Sequence, residues 1–258
     1  MNVGASQVAA LALRSVTRTI RQPASAIPPI LFPITLMLVN AAGLDASTQL
    51  PGFPTDSFLA FALAVPFIQG ALFSTMNAGT DLARDIQTGF LNRLSLTSMH
   101  GSALLAGQLG GIVVLGLFQA ICYLTVGLVT GVEFASGPLG ILVLLVFSVL
   151  VSIAFGALGA YLALRTGSGE SVQAMFPLLF VFLFISSMNT PRDLIAVEWF
   201  RVLATLNPIS YLIECVRSLI ITGWDIEALS LGFGIAAVIA VVSLVLAAWA
   251  LTRRMTRT

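Results

Sequence analysis

The chain has 258 residues, of which 58% are hydrophobic and 9% charged, with a net charge of +1; a soluble domain is roughly a quarter charged. So little charge cannot cover a water-facing surface, which makes lipid the solvent for much of the chain; the near-neutral balance gives no sign of a nucleic-acid partner. All twelve cationic side chains are arginine; without lysine there is no ordinary phosphate-binding loop, so if ATP drives this protein, another polypeptide binds it.

In chain order, residues 6–23 place Val8, Leu11, Ala12 and Ser15 on one helical face and Arg14, Arg18 and Arg21 on another. An in-plane interfacial helix and a plain positively charged anchor both fit, and no signal-peptide pattern is present. Six apolar runs follow, at about 24–43, 57–79, 104–130, 138–164, 172–190 and 229–251, each near the length of about 20 residues that crosses a bilayer. Helices satisfy their own backbone in lipid, and no barrel pattern appears. The sequence therefore reads as an all-α polytopic membrane protein, residues 1–258 forming a single transmembrane domain of six helices. Pro28, Pro29 and Pro33 are expected to kink or unwind the first span.

Arg14, Arg18, Arg21, Arg84, Arg93, Arg165, Arg253, Arg254 and Arg257 fall on the N-terminal side of these spans, and Arg192, Arg201 and Arg217 on the other. The arginine bias puts both termini in the cytoplasm. No charged residue lies inside a span; the polar ones are amides and hydroxyls such as Asn40, Gln69, Asn77, Gln108, Gln119, Gln173 and Asn189. That counts against an ion-coupled transporter built on buried charges. Small residues at Gly107 and Gly111, and at Ser152, Gly156 and Ala160, suit close helix packing. Cys122 and Cys215 read as small buried apolar residues. TGSGES (166–171) and the lone His100 invite an enzyme reading, but glycine-serine runs are ordinary turn chemistry.

Two connections are unusually long. In DLARDIQTGFLNRLSLTS (81–98), Leu82, Ile86, Phe90 and Leu94 recur every fourth residue and predict a short helix with an apolar stripe. Asp81 and Arg84 stand three apart, Asp85 and Arg93 lie off the stripe, and Gly89 marks a bend or the close approach of another backbone. A partner-docking helix and a solvated loop fit these residues equally. In the second connection, 191–228, Asn207 is a good helix N-cap, Pro208 suits the first helical position and Gly223 a helix end. Ile209, Leu212, Ile213, Val216, Leu219 and Ile220 make one face, with Ser210, Glu214 and Arg217 on the other and Glu214 near enough to pair with Arg217. Two short helices on or in the outer leaflet are expected, with Trp199 and Trp224 as interfacial anchors.

Residues 84–110, with Asp85, Gly89, Arg93 and Leu94, resemble the loop after the second span of type-2 ABC transporter permeases, above all the drug-resistance exporters typified by the daunorubicin permease. LNPISYLIECVRSLIITG (206–223), with Asn207, Pro208, Tyr211 and Arg217, resembles the family's second signature. One departure is SLTSMHGS, where Ser98 stands and the family often has a proline. The resemblance implies the transmembrane subunit of an ATP-driven exporter in the cytoplasmic membrane of a prokaryote. It implies a cytoplasmic coupling helix (Asp81, Leu82, Arg84, Asp85, Ile86, Gly89, Phe90, Arg93, Leu94) that docks on a separate ATPase. Two ATPases and two permeases, identical or homologous, would make the working unit; ATP and Mg belong to the partner, and this chain holds no cofactor. Phe176, Phe180 and Phe184 line one face of the fifth span, as a path wall for an amphipathic or lipid-like substrate or as lipid-facing packing. The rival functions are an ATP-independent secondary transporter or channel, a membrane-embedded enzyme and a non-transporting assembly subunit.

Overall fold

The computed structural model describes residues 10, 12–14, 16, 17, 21, 23–95 and 101–255. The expectations placed on Val8, Leu11, Ser15, Arg18, Ser98, His100 and Arg257, and on the side chain of Leu94, lie outside what is described. The first seven described positions are helical. Ten further helices follow among the described residues: α1 (Pro23–Leu44), α2 (Phe58–Ala62), α3 (Ala64–Gln87), α4 (Phe90–Ser95), α5 (Gly101–Val129), α6 (Gly137–Thr166), α7 (Gly169–Phe184), α8 (Glu198–Leu206), α9 (Pro208–Arg217) and α10 (Ile226–Met255). No strand occurs among these residues.

Five described stretches are long and apolar enough to cross a membrane: Ile27–Gln49, Phe58–Gln87, Leu105–Val129, Gly137–Thr166 and Ile226–Arg254. The expected span at 172–190 is instead the 16-residue α7, about 24 Å long at 1.5 Å per residue, against a hydrocarbon core of about 30 Å. The chain leaves the helix at Ile185, whose N–H still reaches Val181, while the Ser186 N–H turns back to Leu183. That turn frees carbonyls that side chains from α9 and its cap take up, as described below.

The centre of the bundle is α3. Of the most apolar window in the helix pair α2–α3, 89% is buried, against 17% for the first span and 28% for the last, so α1 and α10 present most of their surface outward. Small residues let α6 reach this centre: a Cβ at Gly159 would stand 2.0 Å from the Thr75 carbonyl oxygen, so only glycine permits this backbone approach. The expected small-residue seam is present, with Ser152 against Gly116 and Gly156 against Ile112, both between α5 and α6. Pro28, Pro29 and Pro33 all lie within a continuous helix. Pro33 has no N–H to offer the Pro29 carbonyl four residues back, and the Tyr123 hydroxyl of α5 donates to that oxygen instead.

The connection 81–98 is not one short helix. Residues 81–87 are the last turns of α3, and α4 begins at Phe90 after a turn. Gly89 makes that turn at φ +70°, and a Cβ added there would have nothing within 4 Å, so it is a bend and not a site of close backbone approach. Nor does α9 lie on a leaflet: Ile209, Leu212, Ile213, Val216, Leu219 and Ile220 are all buried, and so are Ser210, Cys215 and Arg217 behind them. The apolar face read from the sequence is correct, but the helix inserts into the core. By contrast α8 buries only Ala204 and leaves Trp199, Val202, Leu203 and Leu206 exposed. Trp224 is exposed as well. Cys122 and Cys215 are free thiols, the first half-buried and the second buried.

Candidate functional site

At one end of the bundle, the Asn207 and Arg217 side chains tie the irregular segments together. Asn207 accepts from the Ile209 N–H as the N-cap of α9, with Pro208 next in the first turn. Its amide nitrogen meanwhile donates to the carbonyls of Phe182 and Ile185, the acceptors left when α7 stops. Arg217 donates from Nη2 to the Ser187 and Met188 carbonyls at 3.0 and 3.1 Å, and from Nε to Phe61 at 3.3 Å. Its guanidinium also lies 3.5 Å over the Phe61 ring. One buried arginine thus links the break between α2 and α3, the end of α7, and the π-helical turn Ser218–Thr222 that follows α9. Burial lowers the pKa of this guanidinium, and Glu214 opposes the shift.

Glu214 makes its ion pair with Arg192 at 2.6 Å, not with Arg217 as the sequence spacing suggested. Arg192 also lies 4.4 Å over the Tyr211 ring, and the Tyr211 hydroxyl donates to the Thr205 carbonyl, fixing α8 beside α9. These groups line an open cavity of about 440 Å³.

Between the two ends an aromatic ladder runs along α7. Phe176, Phe180 and Phe184 do share a face of α7, with ring centroids 4.8 and 6.4 Å apart. Phe73 of α3 stands 4.9 Å from Phe176, and Phe32 of α1 5.9 Å from Phe180. Phe32 and Phe184 are exposed on the outside of the chain, so the ladder is open on one side. Gln69 stands one turn before Phe73 on the same face of α3. It is fully buried, and neither its amide oxygen nor its nitrogen finds a partner, unused capacity of a kind that asks for an explanation.

At the other end, Asp85 is 6% exposed at its side chain and receives both Arg14 terminal nitrogens, at 3.0 and 3.2 Å. Gln108 of α5 donates to the same carboxylate. Arg14 stacks 3.8 Å over the Phe90 ring, and a Cβ at Gly110 would meet Ala12 at 2.8 Å; the N-terminal helix therefore packs on α3, α4 and α5 together. Of the residues expected to dock a partner, Leu82 and Asp85 are buried, Asp81, Ile86, Gly89 and Phe90 are half-buried, and Arg84 and Arg93 are exposed. The sequence reading missed Arg14, Gln108, Arg192, Phe32 and Phe73 as members of these sites. Their partners lie far away along the chain, 71 residues in the case of Arg14 and Asp85, and no local spacing could reveal them.

A bundle with five helices long and apolar enough to cross a bilayer defines a multi-pass membrane protein. Residues 6–221 match the family model described as ABC-2 type transporter, and the chain belongs to that family, whose members are membrane permeases. It is 30% identical over 171 residues, 64% of its length, to the daunorubicin resistance ABC transporter permease protein DrrB1 of Streptomyces coeruleorubidus, of which the match covers 58%. It is 25% identical over 201 residues, 77% of its length, to the putative transport permease ycf38 of Cyanophora paradoxa, of which 69% is covered.

Proposed function

We propose that this chain is the permease subunit of an ATP-driven ABC exporter, in the cytoplasmic membrane of a prokaryote. Both termini and the Asp85 end face the cytoplasm, and separate ATPase subunits, two per complex, bind ATP and Mg. The observation that carries this reading is a permease-family chain without a single lysine, which leaves it no ordinary P-loop of its own. The exposed Arg84 and Arg93 supply the ATPase-docking surface, while Leu82 and Asp85 support it from behind.

The substrate is a hydrophobic or amphipathic small molecule, or a lipid. The ladder of Phe32, Phe73, Phe176, Phe180 and Phe184 offers apolar contact, and the buried, unpartnered Gln69 amide one turn from Phe73 offers one polar handle. A relative named for daunorubicin resistance supports the same class. The open side of the ladder closes against a second permease, identical or homologous.

Affinity purification from native membranes tests the reading. A nucleotide-binding subunit is expected to come with the chain, in equal number, and transport is expected to need ATP. Recovery of the chain alone, from membranes in which it still moves its substrate after ATP depletion, would establish the secondary-transporter alternative instead.

A further inference from the structure

The cavity of about 440 Å³ beside α9 falls within the size range of small-molecule sites. Four carboxylates line it, from Asp193, Glu214, Asp225 and Glu227, against the two guanidinium groups of Arg192 and Arg217. The Arg217 charge is turned away onto the carbonyls of Phe61, Ser187 and Met188, and Asp225 is partly committed as the cap of α10, accepting from the N–H groups of Glu227 and Ala228. Between these groups an aromatic face, Tyr211, stands next to a carboxylate, Glu214. That pair already holds a cation. The Arg192 guanidinium stands 4.4 Å over the ring and 2.6 Å from the carboxylate, the arrangement that recognises organic cations in aromatic sites.

Arg192 comes from a short 3-10 turn, Arg192–Leu194, and its side chain and that of Glu214 are 25% and 22% exposed. Water reaches both, so separating them leaves neither charge stranded in apolar surroundings. The carboxylates are also too dispersed for a metal: among the described residues no three His, Cys, Asp or Glu side chains stand close enough to hold one.

We infer that this cavity is a binding site for an amphipathic organic cation, and that Arg192 occupies the Tyr211–Glu214 subsite until such a cation displaces it. Ile221, Ala228 and Leu231 form apolar wall for the body of the ligand. As a release site at the outer mouth the cavity rests on the export reading; the binding itself does not. An internal competitor lowers apparent affinity to the fraction of molecules in which the subsite is free. A partly exposed ion pair together with a cation–π contact makes that a factor of roughly three to thirty.

The test uses the full chain in phosphatidylcholine nanodiscs, without ATPase or nucleotide, so failure of the ATP-driven reading leaves its result unaffected. Tetraphenylphosphonium is the ligand, and tetraphenylborate, of similar shape and opposite charge, is the control. Arg192→Gln is expected to tighten phosphonium binding roughly three- to thirtyfold and to leave borate binding as it was. Tyr211→Leu is expected to weaken phosphonium binding about tenfold, and Tyr211→Phe, which keeps the ring but loses the bond to Thr205, to retain it. Unchanged or weaker phosphonium binding in Arg192→Gln overturns the inference, as does an equal response of both ions or the absence of saturable phosphonium binding. Should Arg192→Gln fail to fold, equal binding by Tyr211→Leu and Tyr211→Phe overturns it as well.

Discussion

Each end of the bundle buries a charged residue, and the two ends satisfy that charge by different means. Arg217 spends its donors on three backbone carbonyls that the end of α7 and the α2–α3 break expose. Asp85 accepts from the side chains of Arg14 and Gln108, and the Arg14 side chain is 43% exposed. Backbone acceptors cannot move without refolding the segment that carries them, whereas a water-reachable arginine can let go and return. The Arg217 end is therefore a fixed scaffold and the Asp85 end a joint, in keeping with the proposed docking of an ATPase at the Asp85 end.

The largest expected effect comes from undoing the scaffold. Arg217→Met leaves three buried carbonyls short of donors, at about 1–3 kcal/mol each, and should abolish the folded, monodisperse species in detergent size-exclusion and thermal-unfolding measurements. Arg217→Lys should recover little, because a single ammonium lacks the planar fork that reaches both sides of the site. Asn207→Ala removes an N-cap worth about 1 kcal/mol and two carbonyl contacts, so its loss should be intermediate. A melting curve for Arg217→Met that overlays the wild type would show that the Arg217 contacts contribute nothing.

The joint is expected to respond in function more than in stability. Arg14→Gln and Asp85→Asn should each cost about 1 kcal/mol, discounted for the exposure of Arg14. Both should reduce substrate-stimulated ATP hydrolysis in the assembled complex to a similar degree. The double variant should be no worse than Asp85→Asn alone, because that variant already removes the ion pair with Arg14. If instead Asp85 touched the ATPase itself, Asp85→Asn alone would release the partner in pull-down and Arg14→Gln would not. That outcome would make the two ends less different than their geometry indicates.

How much of this was legible depends on the range of the signal. The apolar face of α9, its Asn207 cap and Pro208 start were readable because capping and 3.6-residue periodicity are local. The membrane class followed from composition alone. The fate of 172–190 was not readable: its apolar run is long enough to span, and the early stop depends on Asn207 and Arg217, more than 20 residues away. Likewise the stripe of Leu82 and Ile86 was recognised, but periodicity does not say whether a face meets a partner or its own core. Leu82 is in fact fully buried within the chain. The Asp85 partner could not be read at all, since a carboxylate in a loop carries no mark of the arginine 71 residues before it.

The sharpest test of the joint concerns Gly89. Its φ of +70° costs an L-residue about 1–2 kcal/mol, yet a Cβ there would meet nothing within 4 Å. Gly89→Ala should therefore carry the backbone cost alone, and Gly89→Asn, which tolerates this region better, should cost less. Gly159→Ala is the contrasting case: there the φ is ordinary for a helix, but the new Cβ would drive 2.0 Å into a backbone oxygen of α3, so the whole α3–α6 seam must open. Thermal unfolding should thus rank Gly159→Ala far below Gly89→Ala, and Gly89→Ala slightly below Gly89→Asn. ATPase coupling should set Gly89 apart in the other sense, because any relief of its strain swings α4, and Arg93 with it, while the bundle stays intact. Equal coupling in Gly89→Ala and wild type would mean that the direction of α4 does not matter, and the joint would then have to lie in Arg14 and Asp85 alone.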